Sequence, residues 1–323
     1  MQHVIVTRFG VGQARDEFYR SKLPILKTTL LPTLDRQVRA NFRVVLITDH
    51  MCPPWVRRDL SAISSDRPWV TVHYHNPFRR FRLMPNLGSV IEKKLAIDEQ
   101  HWPLLMTRID DDDGLAPHFC SAVTDFARSI WTDTKLPSSV LIAHGRGVMI
   151  TTGGEVIAEV NYPEVSIQSV LTNEPGRRSP YEGSHRSSQK RYVTSDGLAT
   201  NMVCDDALWF RYLRAGSEAT RGGHRSNVRK YLEGFPGRTM IRQWDSAEFS
   251  EYFGLDTDFF RRLACLEAKG VQDHVDLIVG GAPRLKRMQI KRELLRVAKR
   301  ISKKPGRGQK KQLKAIKEGF YQI

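Results

Sequence analysis

With 323 residues, 40% of them hydrophobic and 27% charged, the chain has enough apolar material for one large α/β domain or two small ones, and its composition excludes a disordered polymer. The net charge of +16 points to nucleic acid until it is located: Arg284 to Glu318 holds 15 Lys and Arg against two Glu, a surplus of +13 that leaves only +3 elsewhere. No apolar run approaches the roughly 18–20 residues that span a bilayer. The first residues enter a strand pattern with no charged n-region or small-residue cleavage site, and Cys52, Cys120, Cys204 and Cys265 form no CxxC pair. A reduced, cytoplasmic protein without a signal peptide is expected.

In chain order, residues 3–7 and 43–48 read as short buried strands rich in β-branched residues. Between them, Leu23, Leu26, Leu30 and Leu34 keep a helical spacing interrupted by Pro24 and Pro32. Strand, helix, strand implies a parallel pair with a right-handed crossover. Residues 70–74 alternate like a third strand, 89–100 read as a helix, and an apolar segment over 103–109 ends in Asp110-Asp111-Asp112-Asp113. Residues 140–149 and 155–160 read as strands joined by a Gly153-Gly154 turn. Loops are expected over 172–190 and 216–227, with a helix over 205–214 between them. Residues 249–269 and 285–304 are expected to be helical, and Pro305 to Gly308 breaks the last stretch. The pattern predicts one doubly wound, mostly parallel α/β domain over about residues 1–245, then a helical C-terminal region, 246–323, with a basic tail over 284–323.

Four adjacent carboxylates at a strand end repel one another, and a divalent cation with oxygen ligands removes the conflict. In an open α/β sheet, ligands bind beyond the carboxyl ends of the strands, where this run falls. A solvated turn capping the next helix is the plain alternative, disfavoured by the strand before it and Gly114-Leu115 after it. An EF-hand loop starting at Asp110 fails, since Leu115 and Ser121 stand where Gly and Glu are required. Asp111-Asp112-Asp113-Gly114 is also similar to the Asp-x-Asp-Gly of haloacid-dehalogenase-type phosphohydrolases, with Asp111 and Asp113 as its pair. That motif normally lies on a first strand and continues with Thr or Val.

Thr107-Arg108-Ile109-Asp110-Asp111-Asp112-Asp113 resembles the core of the rhamnosyltransferase family within the GT-A glycosyltransferases. Val6-Thr7-Arg8-Phe9, the stretch Leu30 to Asp49, the acidic pair Asp205-Asp206 before Ala207-Leu208-Trp209, and His224-Arg225-Ser226-Asn227-Val228 resemble further elements in the same order. The resemblance covers roughly residues 3–230. It implies a GT-A-like fold with a nucleotide-sugar half over 1–115 and an acceptor half over 116–245. The implied reaction moves a sugar from a nucleotide-diphosphate donor to a glycan or other hydroxyl acceptor, with inversion, in cell-surface glycan synthesis. Carried over, Asp110 faces the ribose, Asp112 reaches the metal, Asp113 supports the metal shell or holds the loop, His224 joins the metal or stays a surface-loop histidine, and Mn²⁺ or Mg²⁺ is the cofactor. Asp206, with Asp205 second, is the implied general base, while helix capping is the competing role for both.

Arg8 and Asp49 end the first two strands and are expected at the donor, Arg8 on phosphates or base and Asp49 on a nucleobase N–H or in a simple turn. Arg108 is expected at the donor or paired with an aspartate. His73 and His144 read as satisfied polar groups in or beside the sheet. In the tail, Ile290, Leu294, Val297 and Ile301 form an apolar stripe beside a basic face. Such a helix can dock on the core or lie on an anionic membrane surface through residues 284–318, at the inner face of the membrane. No RNP, zinc-finger or helix-turn-helix signature supports nucleic-acid binding.

Overall fold

A computed structural model of the chain describes residues 1–12, 14–38, 41–76, 87–96, 103–133, 139–151, 154, 157–162, 167–173, 179–181, 198–213, 239–256 and 258–266. Their strands are β1 (Gln2–Phe9), β2 (Phe42–Asp49), β3 (Val70–His75), β4 (Leu104–Asp110), β5 (Gly114–Leu115), β6 (Ser139–His144), β7 (Arg146–Thr151), β8 (Ile157–Asn161), β9 (Ile167–Thr172), β10 (Leu198–Met202), β11 (Trp209–Leu213) and β12 (Thr239–Gln243). The helices are α1 (Asp16–Thr28), α2 (Leu30–Asp35), α3 (Pro54–Asp66), α4 (Leu87–Leu95), α5 (Phe119–Asp133) and α6 (Ser246–Phe253), and residues 259–266 are also helical.

Seven strands form the main sheet in the order β10-β6-β9-β4-β1-β2-β3. β1 pairs in parallel with both β2 and β4, so the winding runs outward to β3 and then reverses to the other side of β1. β9 alone runs antiparallel to its neighbours β4 and β6. This is the doubly wound, mostly parallel sheet expected from the sequence, and its strands are nearly continuous runs of buried Val, Ile and Leu because both faces are covered. α1, α2 and α3 cover one face through Leu23, Leu26, Leu30, Leu34, Val56, Leu60 and Ile63. Pro24 is accommodated inside α1, and Pro32 falls in the first turn of α2, where a missing N–H costs nothing.

A chain of buried hydrogen bonds crosses the middle of the sheet. His3 Nε2 meets Thr107 Oγ1 at 2.8 Å, Thr107 meets Ser169 Oγ at 2.6 Å, and Ser169 meets His144 Nε2 at 2.8 Å. One residue comes from each of β1, β4, β9 and β6. Burial lowers the pKa of both imidazoles from 6.5 to about 3, so both are neutral. His144 is interior as expected but only half satisfied: Nε2 has Ser169, while Nδ1 is buried with no hydrogen-bond partner among the described residues.

A second sheet has the order β12-β8-β7-β11-β5. The expected helix over 205–214 is absent, and residues 209–213 form β11. The reason is packing: Trp209 to Leu213 are buried at every position, between β7 on one side and β5 on the other, which an amphipathic helix with one apolar face cannot achieve. The fit is close, since a Cβ on Gly147 would lie 2.2 Å from the Trp209 ring and one on Gly114 would lie 2.2 Å from the Phe210 ring. The single strand expected over 140–149 is two, β6 and β7, which belong to different sheets. Glu159, buried on β8, accepts from Arg146 Nε at 2.5 Å, Trp244 Nε1 at 2.7 Å and Arg242 Nε at 2.9 Å, tying β7, β8 and β12 together. α6, capped by Asp245 accepting from Glu248 N, packs Phe249 and Phe253 on Phe210, with Phe259 beside them. The expected helix over 285–304 lies outside the described residues.

Candidate active site

The winding reverses between β1 and β4, and at such a switch point the loops beyond the carboxyl ends of two neighbouring strands part to leave a crevice. β4 delivers the acidic run to this place. Arg8 and Asp110 are register partners on β1 and β4, and both retain solvent exposure. After Asp110 the chain turns, with Asp113 N donating to Asp110 O at 3.3 Å, and enters β5. Asp111 and Asp112 each give one carboxylate oxygen to the ammonium of Lys22, at 2.8 Å in both cases. Lys22 stands on the buried face of α1 between Tyr19 and Leu23 and is 8% exposed. Asp113, 2% exposed, accepts from Arg211 Nε and from Tyr212 N of β11, both at 3.3 Å. Burial pushes the Asp113 carboxyl well above the ordinary carboxylate range, and Arg211 acts in the opposite direction.

On the β1 side, the guanidinium groups of Arg8 and Arg108 lie over the ring of Tyr181, 4.7 and 4.5 Å from its centroid. The Tyr181 hydroxyl donates to Val6 O at 2.9 Å. Burial raises the Tyr181 pKa to about 12 and lowers that of Arg108, so the phenol stays neutral beneath two cations. The arrangement concentrates positive charge beside Asp110, at the mouth of the crevice. Asp49, at the end of β2, is fully buried; its two oxygens accept from Gly12 N at 2.9 Å and from Met51 N at 2.8 Å. It therefore holds the loop over residues 10–12, in which Gly10 and Gly12 have φ of +70° and +81°. That loop lies over Tyr19, whose hydroxyl donates to Gly10 O at 3.1 Å.

Asp205 and Asp206 are exposed and stand before the start of β11. β5 and β11 pair antiparallel, Leu115 with Trp209 and Gly114 with Phe210, and Ala116 N extends the ladder by donating to Leu208 O at 3.0 Å. β11 therefore runs towards Asp113, and the acidic pair lies at the opposite end. Six residue steps lead from Asp206 to Tyr212, which at 3.3 Å per step is at most about 20 Å. Beside Asp206 is Tyr252, whose hydroxyl donates to Ala207 O at 2.9 Å. His224 lies outside the described residues.

Residues 14–207 match the model of the family described as Putative rhamnosyl transferase. The chain belongs to this family. The match covers Lys22, Asp49, Arg108, the acidic run and the Asp205-Asp206 pair, and stops just short of β11. No curated protein matched. Among solved structures, S. aureus TarS 1–349 in complex with UDP aligns at a TM-score of 0.39 with 15% identity, over 66% of this chain and 61% of that one. A longer TarS structure aligns at 0.38 with 16% identity, over 66% of this chain and 37% of that one. This chain thus spans under two thirds of either.

In this family member, the donor atoms of the acidic turn can be tested against a divalent cation. Oxygen ligands suit Mg²⁺ and Mn²⁺, and the Lys22 ammonium demonstrates that oxygens of Asp111 and Asp112 converge on one positive charge. Asp112 fits the part of a ligand. Asp113 does not, because its carboxylate is spent on Arg211 and the β11 backbone. Among the described residues, no three His, Cys, Asp or Glu side chains are gathered as a metal set. Lys22, Arg211 and Tyr181 escaped the sequence reading. Lys22 had a signal, as the one charge in the helical stripe of Tyr19, Leu23 and Leu26. Arg211 had another, inside an uninterrupted run of aromatic and apolar residues.

Proposed function

We propose that the protein transfers a sugar from a nucleotide-diphosphate donor to an acceptor hydroxyl during glycan synthesis, with rhamnose as the sugar the family name suggests. The observation that carries this reading is the acidic turn Asp110–Asp112 at the sheet's switch point, in a chain of this family. Asp110 meets the donor's ribose side, and Arg8 and Arg108 offer their guanidinium groups to its phosphates, to which planar N–H forks are suited. Asp112 would hold a divalent cation, which when bound neutralises charge on the departing diphosphate. The Asp49-anchored loop over 10–12 shapes the crevice wall. The general-base role is not proposed for Asp206, since a base has to lie within hydrogen-bond reach of the acceptor and this pair stands at the far end of β11.

The phosphohydrolase alternative asks for Asp113 as a second working carboxylate, and its burial against Arg211 counts against that. Among the described residues, no helix is long and apolar enough to cross a membrane. Peripheral attachment through residues 284–318 is proposed on their charge alone, and salt-sensitive binding to anionic vesicles tests it. The function itself is tested by incubating the protein with a panel of nucleotide-diphosphate sugars and measuring nucleoside diphosphate release. Release with Mn²⁺ that stops in EDTA supports it. Release of phosphate from simple phosphomonoesters, with no sugar nucleotide consumed, overturns it.

A further inference from the structure

The acidic turn carries four carboxylates, yet every one has a cation beside it from the chain itself. Asp113 has Arg211, Asp110 faces Arg8 in the sheet register, and Asp111 with Asp112 share Lys22. Three cations of the chain thus stand against four carboxylates, and Lys22 alone serves two of them. The Lys22 contacts are not surface ion pairs: the side chains of Lys22, Asp111 and Asp112 are 9%, 9% and 15% exposed. At such sites an ion pair is weakly screened and a lost partner is costly.

Any divalent cation using Asp112 must approach an oxygen pair that already carries a positive charge. Two cations within a few ångströms of one carboxylate repel strongly at the low effective dielectric of a buried site. Lys, unlike Arg, is a compact point charge on a flexible four-carbon stem, able to withdraw without rebuilding the helix that carries it.

We propose that Lys22 is the intrinsic counter-ion of the donor site: its ammonium and a divalent cation compete for Asp112. Lys22 holds the acidic turn in shape while no metal is present, and sets how tightly metal binds once it arrives. This inference rests on the metal-using reading of Asp112 given above. It makes Lys22 a positioning residue and not a catalytic one. The stem of Lys22 stays in the apolar stripe of α1 beside Tyr19 and Leu23 whichever partner the ammonium has.

The test uses the full chain and Mn²⁺ alone, with free Mn²⁺ counted by electron paramagnetic resonance. Lys22→Met takes the ammonium from buried Asp111 at a cost to folding, so Lys22→Met/Asp111→Asn is compared with Asp111→Asn. Removing the ammonium is expected to tighten Mn²⁺ binding at least about tenfold within that pair. The midpoint of thermal unfolding should become Mn²⁺-dependent in Lys22→Met, while the wild type unfolds at the same temperature with Mn²⁺ or EDTA at micromolar metal. Equal or weaker Mn²⁺ binding without the ammonium overturns the role of Lys22 and leaves the metal reading intact. If none of these proteins binds Mn²⁺, with or without a nucleoside diphosphate, and donor turnover persists in EDTA, the metal reading falls and this inference with it.

Discussion

Acidification should destabilise this protein already above the ordinary carboxylate range, because of His3 and His144. Both are buried and neutral, with pKa lowered from 6.5 to about 3, chiefly by burial and, for His144, also by repulsion from His3. A histidine depressed in the folded state takes up its proton on unfolding. Its contribution is therefore complete above pH 6.5 and is lost as the pH falls from there towards 3. At pH 5 each imidazole has forfeited about 2 kcal/mol, and the pair about 4 kcal/mol. With a urea m-value of about 3 kcal/mol/M, the midpoint should fall by about 1.3 M between pH 7.5 and pH 5. Tryptophan fluorescence against urea at the two pH values measures this. Glutamine donates and accepts like a neutral imidazole but does not titrate. His144→Gln should halve the shift, and His3→Gln/His144→Gln should remove most of it. An unchanged shift in the double variant would refute the reasoning.

Asp113→Ala takes the carboxylate from buried Arg211, so it should cost up to about 3–5 kcal/mol of stability while Mn²⁺ binding survives in the folded fraction. Normal stability with lost Mn²⁺ binding would make Asp113 a ligand after all. Asp206→Asn should change transfer to the acceptor by less than about fivefold, since a catalytic base contributes at least 10²-fold and this residue stands away from the donor turn. A hundredfold loss with donor binding intact would restore it as the base. Tyr181→Phe keeps the ring beneath Arg8 and Arg108, so it should alter the donor KM little. Tyr181→Leu removes two cation–π contacts and should raise that KM about tenfold, with kcat affected less.

The main sheet was legible because its strands are buried on both faces and announce themselves as apolar runs of β-branched residues. The acidic run was legible for a related reason: carboxylates directly after such a strand have to lie at the sheet's carboxyl edge. Partnership was harder to read. Asp113 looks identical to Asp112 in sequence, and only the approach of β11 separates the two by burying one of them against Arg211. The acidic pair at 205–206 was placed at the start of a helix because Leu208, Trp209, Tyr212 and Leu213 have helical spacing. Phe210 and Arg211, which fill the other side, made the segment continuous, and a continuous short run is what a strand covered on both faces requires. α3 and α5 went unread although Val56, Leu60 and Ile63 are spaced for a helix face. Tyr181 gave no sign, since its contact with Arg8 and Arg108 joins residues far apart in the chain.

The claim that the turn Asp110–Asp112 binds a nucleotide-diphosphate donor through a divalent cation is tested most directly by a thermal-shift screen with and without Mn²⁺, on the wild type and on Asp112→Asn. At a hundredfold excess over Kd, a ligand of the native state adds about 2.7 kcal/mol, or about 4 °C for a chain of this size. At least one nucleotide-diphosphate sugar should produce such a shift with Mn²⁺ and lose it in EDTA. Asp112→Asn should unfold within a few degrees of the wild type and show no shift with that ligand. A shift of equal size in EDTA, or one fully retained by Asp112→Asn, would contradict the claim.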